Sequence, residues 1–377
     1  MKKRKKIFYI AEVSLNSKSA YLQQVLKMCD AFATEGHQVI LFVINSKNIN
    51  FSTLKRKYLL KSIFQIKPIF EDIENMNLVL RLIFSFKIFT KLQIKDIYLI
   101  YSRSFISSIV LSILGKKNLL EIHQKTTGPT KYLFKILKSI FFIKKIFFVL
   151  INKRLNDYYN FEKKKFIVLD DAVDLKDFTK HNKLNIKKSC VYTGSLFHGK
   201  GFEIIIKLSK RINSLNFYVY GDLKTASLRL VEECKKIKNL HLMGHISYNK
   251  IPQILKSHKI ILMPYGKRVM GNHKSVDISD HMSPLKLFDY LAAGQIILAS
   301  KHKSYSHVLK NNFNSFLCDI KNTEEWVKTI NDIFRNKKSF DKIKKNSILT
   351  ARKYTWQKRV LKILKYSMQK KINYETF

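Results

Sequence analysis

Cysteine is scarce in this chain, with four in 377 residues. Cys29, Cys190, Cys234 and Cys318 show no CxxC spacing and no accompanying histidine pair, which argues against a zinc site and against a disulfide framework. A reducing cytoplasm is the expected compartment. Acid is scarce as well: 27 Asp and Glu stand against 71 Lys and Arg. Long apolar runs are missing. No stretch reaches the roughly eighteen uncharged apolar residues that a membrane span needs, and the best candidate, residues 139–152, is split by Lys144 and Lys145. The basic N-terminus does not read as a signal peptide, because Glu12 ends its apolar run too early. Internal repeats and low-complexity tracts are absent too. The expectation is a cytoplasmic protein that lies free or rests on the inner face of a membrane without crossing it.

What is present is lysine, alongside abundant Ile, Asn and Phe, for a net charge of +44. Two readings stay open. An AT-rich gene enriches these residues through codon bias alone. Alternatively, the charge serves a polyanion, either nucleic acid or an anionic membrane. The hydrophobic fraction of 46% is that of a globular chain, and the length suits two domains.

Short apolar runs alternate with amphipathic segments, the pattern of parallel α/β architecture. In the first half the spacing predicts strands at Ile7–Ala11, Gln38–Val43, Ile97–Tyr101, Asn118–His123, Ile146–Ile151 and Phe166–Leu169. Helical patterns run over Ala20–Thr34, with Gly36 suited to its C-cap, and over Asn75–Thr90 and Lys131–Ile143. In the second half strands are predicted at Cys190–Thr193, Asn216–Tyr220, Leu240–Met243, Ile260–Met263, Ile296–Ala299 and Ser315–Cys318. Asp174 to Lys188 is polar without an apolar period and reads as a linker. The expected division is 1–174, a linker at 175–188, a second domain at 189–354, and a terminal helix at 355–377 that packs back on the first domain. Ligands in such folds sit at the carboxyl ends of the strands.

Two segments carry chemistry. Val191 to Gly201 runs from a strand through Gly194, Gly199 and Gly201 into a helix starting near Phe202. Glycines admit a phosphate close to the backbone, and Lys200 adds a full positive charge. A purely structural glycine turn is the bland alternative. Ser283 to Gly294 places Ser283 as a helix N-cap and Pro284 at the first helical position, so that the amides of Leu285 and Lys286 point outward as anion donors. Asp289, about a turn and a half in, needs a hydrogen-bonding partner. A ribose diol is one candidate and a neighbouring lysine is the other.

In this order and at this separation, TGSLFHGKG, NLHLMGHISYNKIPQILKSHKIILMPY and SPLKLFDYLAAGQIILAS resemble the donor-binding domain of GT-B glycosyltransferases, specifically the large retaining group called family four. VLDDAVDLKDF and EGHQV resemble parts of that family's N-terminal domain. The resemblance implies two Rossmann-like, doubly wound parallel-sheet domains facing across a cleft. It also implies a UDP- or GDP-sugar donor, a lipid-linked or saccharide acceptor, and a role in bacterial surface polysaccharide such as lipopolysaccharide or capsule. Lys200 would neutralise the donor diphosphate with Gly194 and Ser195 beside it. The segment Ser283, Pro284, Leu285 and Lys286 would hold the distal phosphate, through the amides of Leu285 and Lys286 because Pro284 has no N–H, and Asp289 would bind the ribose. Gly244 and His245 would face the base, and His123 would touch the transferred sugar or the acceptor. Three positions depart from the family's pattern. His281 stands where the first of two glutamates is usual, with Asp280 adjacent. Ser195 replaces a basic residue that often follows the loop's first glycine. Ser14 to Ser19 stand where a double glycine is usual. No DxD-like cluster appears, so no divalent ion is needed, since a lysine and a helix N-terminus can stabilise the leaving phosphate.

Lys131, Lys135 and Lys138 recur at helical spacing beside Leu133, Phe134, Leu137, Ile140 and Phe141. Such a helix suits a membrane interface, or equally a core face with a solvated lysine edge. The rival enzymes are a nucleotide-sugar epimerase or a sugar phosphorylase on the same fold. A nucleic-acid-binding protein is the remote alternative, disfavoured because the lysines are spread over all segments and no binding motif occurs.

Overall fold

A computed structural model describes residues 5–73, 75–92, 97–128, 131, 132, 134, 136, 144–179, 187–271, 276–335 and 340–374. The chain divides into two compact units, Met1–Asp171 with Trp356–Phe377, and Ala172–Thr355.

The first unit runs β1 (Lys6–Ile10), α1 (Ala20–Thr34), β2 (Gln38–Val43), α2 (Phe51–Tyr58), β3 (Gln65–Pro68), α3 (Leu78–Lys91), β4 (Ile97–Ser102), α4 (Phe105–Ile113), β5 (Asn118–Ile122), β6 (Ile146–Leu150), α5 (Arg154–Tyr159) and β7 (Phe166–Val168). Ser19, Asn50, Asn77 and Ser104 start α1 to α4, each accepting from the amide three residues on. Glu35 occupies the C-cap of α1, and Gly36 follows it at φ +88°. The seven strands are ordered β3-β2-β1-β4-β5-β6-β7 and every pairing is parallel. Side chains alternate between faces. Phe8, Ile10, Ile100, Leu120 and Phe148 point to the face covered by α3 and α4. Glu121 points to the face carrying α1, through Gln24.

The second unit contains α6 (Leu175–Thr179), β8 (Lys187–Thr193), α7 (Phe202–Arg211), β9 (Asn216–Tyr220), α8 (Leu228–Lys235), β10 (Leu240–Gly244), α9 (Ile251–Lys256), β11 (His258–Met263), α10 (Leu285–Ala293), β12 (Ile296–Ser300), β13 (Phe316–Cys318), α11 (Thr323–Arg335) and α12 (Asp341–Ala351). Its six-stranded parallel sheet has the order β10-β9-β8-β11-β12-β13. α13 (Trp356–Gln369) then returns to the first unit.

The fold is two parallel-sheet α/β units, and the strands expected from apolar runs form within a residue or three of their expected ends. One strand escaped that reading: β3, QIKP, is a partly exposed edge strand without an apolar run. The expected linker also needs correction. Leu175–Thr179 is helical, and Phe178, 2% exposed, belongs to the second unit's core. Of the basic stretch 131–143, Leu133, Lys135, Leu137, Lys138, Ile140 and Phe141 lie outside the described residues, whereas Lys131 is exposed and Phe134 buried. No helix among the described residues is long and apolar enough to cross a membrane.

Candidate functional site

In the second sheet the strand order reverses between β8 and β11, the place where ligands bind in open α/β sheets. β8 leads into Gly194 and β11 into Pro264 and Tyr265. The loops are fitted closely. A Cβ on Gly199 would lie 1.8 Å from the Arg268 carbonyl oxygen, and one on Gly201 would lie 2.1 Å from that of Pro264. Both glycines have positive φ, +78° and +95°. These glycines therefore let the Lys200 loop rest on the loop after β11. The same loops line a cavity of about 430 Å³ that includes His198, Glu203 and Arg268.

Lys200 and Lys286 meet at this point. Their ammonium groups lie 5.2 and 5.4 Å from the centre of the Tyr265 ring, and that of Lys286 is 3.9 Å from the Tyr192 ring. Both approaches are cation–π contacts. The Lys286 Nζ is buried and has no hydrogen-bond partner among the described residues. Neither lysine has an acidic partner there. Burial pushes the Lys200 amine down to about 8. Burial, and then the charge of Lys200, holds the Lys286 amine well below the usual lysine range. Gly194 makes room for this arrangement, since a Cβ on it would stand 2.3 Å from Lys286 Nζ. Two cations held together without an acid form a site for a polyanion.

The helix that carries Lys286 adds to this field. The expected caps shift by one residue: Pro284 is itself the N-cap, with ψ 127°, and Leu285 is the first helical residue. Ser283 lies before the cap and is buried. No side chain caps this end, so the amides of Leu285 and Lys286 remain available to an anion. One face of α10 is tied to β8 through the Tyr290 hydroxyl, which accepts from the Thr193 amide at 3.1 Å and donates to its carbonyl at 3.0 Å. Asp289 is 7% exposed and accepts from the Tyr248 hydroxyl at 3.2 Å.

Gly194, Ser195, Lys200, Leu285, Lys286 and Asp289 are thus gathered around the ends of β8 and β11. Gly244 and His245 stand apart, at the end of the edge strand β10, with His245 exposed. Tyr248, three residues on, is what links that loop to Asp289. His281 is fully buried and Asp280 exposed. Sequence reasoning missed the Lys286 side chain, Tyr192, Tyr265 and Tyr248.

His123 follows β5 in the first unit, in a polar cluster of its own. Its Nε2 is 2.5 Å from Glu121 Oε1. Glu121 also accepts from Gln24 and the Tyr101 hydroxyl, and from Arg359 of α13 at 2.7 Å. Arg103 holds Gln24 from the other side, 2.8 Å from its Oε1. Burial alone would raise the Glu121 carboxyl, but Arg359 and His123 hold it well below the usual range. Burial, then Arg103, lowers His123 to about 4, so the ring is neutral at ordinary pH. Burial raises the neighbouring Asp171 to about 7. Glu121, His123 and Asp171 lie close enough to share a cation. Arg359 already supplies that charge to Glu121, so the cluster is an ion-pair network.

Residues 174–350 match the family described as Glycosyl transferases group 1. No curated protein matches the chain in sequence. Among solved structures, a glycosyltransferase from Rickettsia africae is 14% identical with a TM-score of 0.76, over 97% of this chain and 98% of that one. HepE of Anabaena, in complex with UDP-glucose, is 12% identical with a TM-score of 0.67, over 96% and 100%. TarM of S. aureus, in complex with UDP, alpha-GlcNAc-glycerol and Fondaparinux, is 12% identical with a TM-score of 0.70, over 96% and 99%. The fold of the two parallel-sheet units matches that of GT-B glycosyltransferase structures.

Proposed function

We propose, for a chain whose residues 174–350 form a glycosyl transferases group 1 domain, that it transfers a hexose-type sugar with retention from a UDP- or GDP-sugar to a lipid-linked or saccharide acceptor in surface polysaccharide assembly. The observation that carries this reading is the pair Lys200 and Lys286, two half-buried lysines with no acidic partner among the described residues, beside the open amides of α10. A nucleoside diphosphate supplies the missing negative charge. Asp289, turned inward beside Tyr248, is assigned to the ribose hydroxyls, Gly244 and His245 to the base, and His123 to the sugar or the acceptor. HepE with UDP-glucose and TarM with UDP and saccharide support the substrate class.

In the proposed step the bond from the anomeric carbon to the diphosphate oxygen breaks and its electron pair stays on that oxygen. The acceptor hydroxyl oxygen bonds to the anomeric carbon from the same face, and its proton passes to the departing phosphate. Negative charge grows where Lys200, Lys286 and the amides of Leu285 and Lys286 converge. Stabilising charge at that point is what lowers the barrier.

The test is calorimetry with UDP, GDP and their sugars. One of them binds the wild-type chain, and Asp289→Asn weakens that nucleotide while leaving thermal unfolding of the free protein unchanged. No binding by any nucleotide, or full affinity in Asp289→Asn, overturns the corresponding assignment.

A further inference from the structure

Helix α3 is apolar on both sides. Phe84 and Ile88 are buried against the first sheet. On the opposite side Leu78, Val79, Leu82, Ile83 and Phe86 are 38 to 62% exposed. These positions follow i, i+1, i+4, i+5 and i+8, a continuous stripe about 12 Å long at 1.5 Å per residue. A contiguous exposed apolar patch marks an interaction surface.

The stripe is part of a wider plane. α3 packs along α4, and Phe105 at the start of α4 meets Phe134 with ring centroids 5.6 Å apart. α3, α4 and Phe134 therefore lie on a single face of the sheet. The outer side of that layer also shows Ile113, Tyr132 and Ile136, 46 to 67% exposed. Among the described residues its exposed charge has one sign: α3 holds no acid, Arg81 is paired with Glu12 at 3.2 Å, and Lys87, Lys91 and Lys131 are exposed. Among the described residues, the exposed acids Glu71 and Asp72 precede the helix. A broad apolar face with a cationic margin fits one partner in particular.

We infer that this layer, with α3 at its centre, docks on a lipid bilayer containing anionic headgroups. The apolar stripe enters the boundary between headgroups and acyl chains, and the lysines meet the lipid phosphates. The inference draws on the proposed function only for its purpose, which is to bring the enzyme to an acceptor made at that surface.

The test measures co-sedimentation of the whole chain with vesicles of phosphatidylcholine, alone and mixed with phosphatidylglycerol. Wild type binds the mixed vesicles more tightly, and salt reduces the difference. Val79→Gln/Leu82→Gln/Phe86→Gln weakens binding roughly a hundredfold, since three side chains lose their apolar burial. Its thermal unfolding and its nucleotide affinity stay as in wild type, which separates a failure of this inference from a failure of the proposed reaction. If the triple variant fails to fold, Tyr132→Gln/Ile136→Gln reads the same plane and also weakens binding. Unchanged vesicle binding in a folded variant overturns the inference, as does a wild type that binds neither vesicle. So does a wild-type dimer that the triple variant dissolves, because a second copy would then cover the face.

Discussion

Gly194→Ala isolates the role of the Lys286 ammonium without touching either lysine. Gly194 has φ +133°, so alanine there carries backbone strain of about 1–3 kcal/mol. The new Cβ would stand 2.3 Å from Lys286 Nζ and 2.6 Å from its Cε. Those atoms end a flexible side chain, so the lysine moves and the backbone stays. The ammonium then leaves its place against Tyr192, and a bound diphosphate loses one of two cations. A hydrogen bond to a charged group contributes about 1.5–3 kcal/mol, which is roughly a ten- to hundredfold weaker Kd. Calorimetry with the cognate nucleoside diphosphate reads that loss, and thermal unfolding without nucleotide reads the strain separately. Lys286→Met is expected to cost the same affinity without strain at Gly194. The double variant decides the matter. If both changes act through one ammonium, it binds no more weakly than Lys286→Met alone. Additive losses, or a Gly194→Ala affinity within about twofold of wild type, where no hydrogen bond to a charged group has been lost, would refute the reasoning.

Lys200→Ala should lower turnover by about two orders of magnitude with the fold intact, as for loss of one transition-state charge stabiliser; turnover within a few-fold of wild type removes Lys200 from the mechanism. A pH series from about 8 to the ordinary lysine value near 10.5 should show two opposite slopes. Across that window the unfolded chain keeps the Lys200 proton that the folded chain has released, so stability of the free protein rises with pH. Nucleotide affinity falls across the same window as the ammonium is lost, and Lys200→Met reduces both slopes, leaving the part set by Lys286, whose amine burial also lowers. Arg359→Met should cost about 3–5 kcal/mol in urea unfolding, because it leaves the Glu121 carboxylate buried without its cation. A loss near the roughly 0.5 kcal/mol of an ordinary surface substitution would show that the pair carries no stability.

Much of the framework is readable from local pattern. Asn216–Tyr220 and Gln38–Val43 are short apolar runs between polar breaks, and such runs form the interior strands of both sheets. β3 is not readable this way, because an edge strand buries little and QIKP advertises no burial. The glycines of the Lys200 loop mark a close approach of backbone, but not what approaches. That Gly199 meets Arg268 and Gly194 meets Lys286 follows only from folding β8 beside β11. The serine–proline pair before α10 misleads by one position, since Pro284 keeps an extended ψ and acts as the cap. Lys286 counted in the sequence for its amide, whereas its side chain forms half of the cation pair. Glu121 and Arg359 are 238 residues apart, and no local spacing connects them.

The return of α13 makes the first unit discontinuous in the chain. A ribosome reaches Arg359 only after it has synthesised the whole of Ala172–Thr355, which is continuous and can close first. Until then Glu121 lacks the guanidinium that bonds it directly, and the sheet face beside α1 lacks part of its cover. The nascent protein must therefore carry an unfinished first unit past a completed second one. A stop codon anywhere before residue 359 would leave that unit's buried carboxylate without its direct ion-pair partner, however well the second unit had folded.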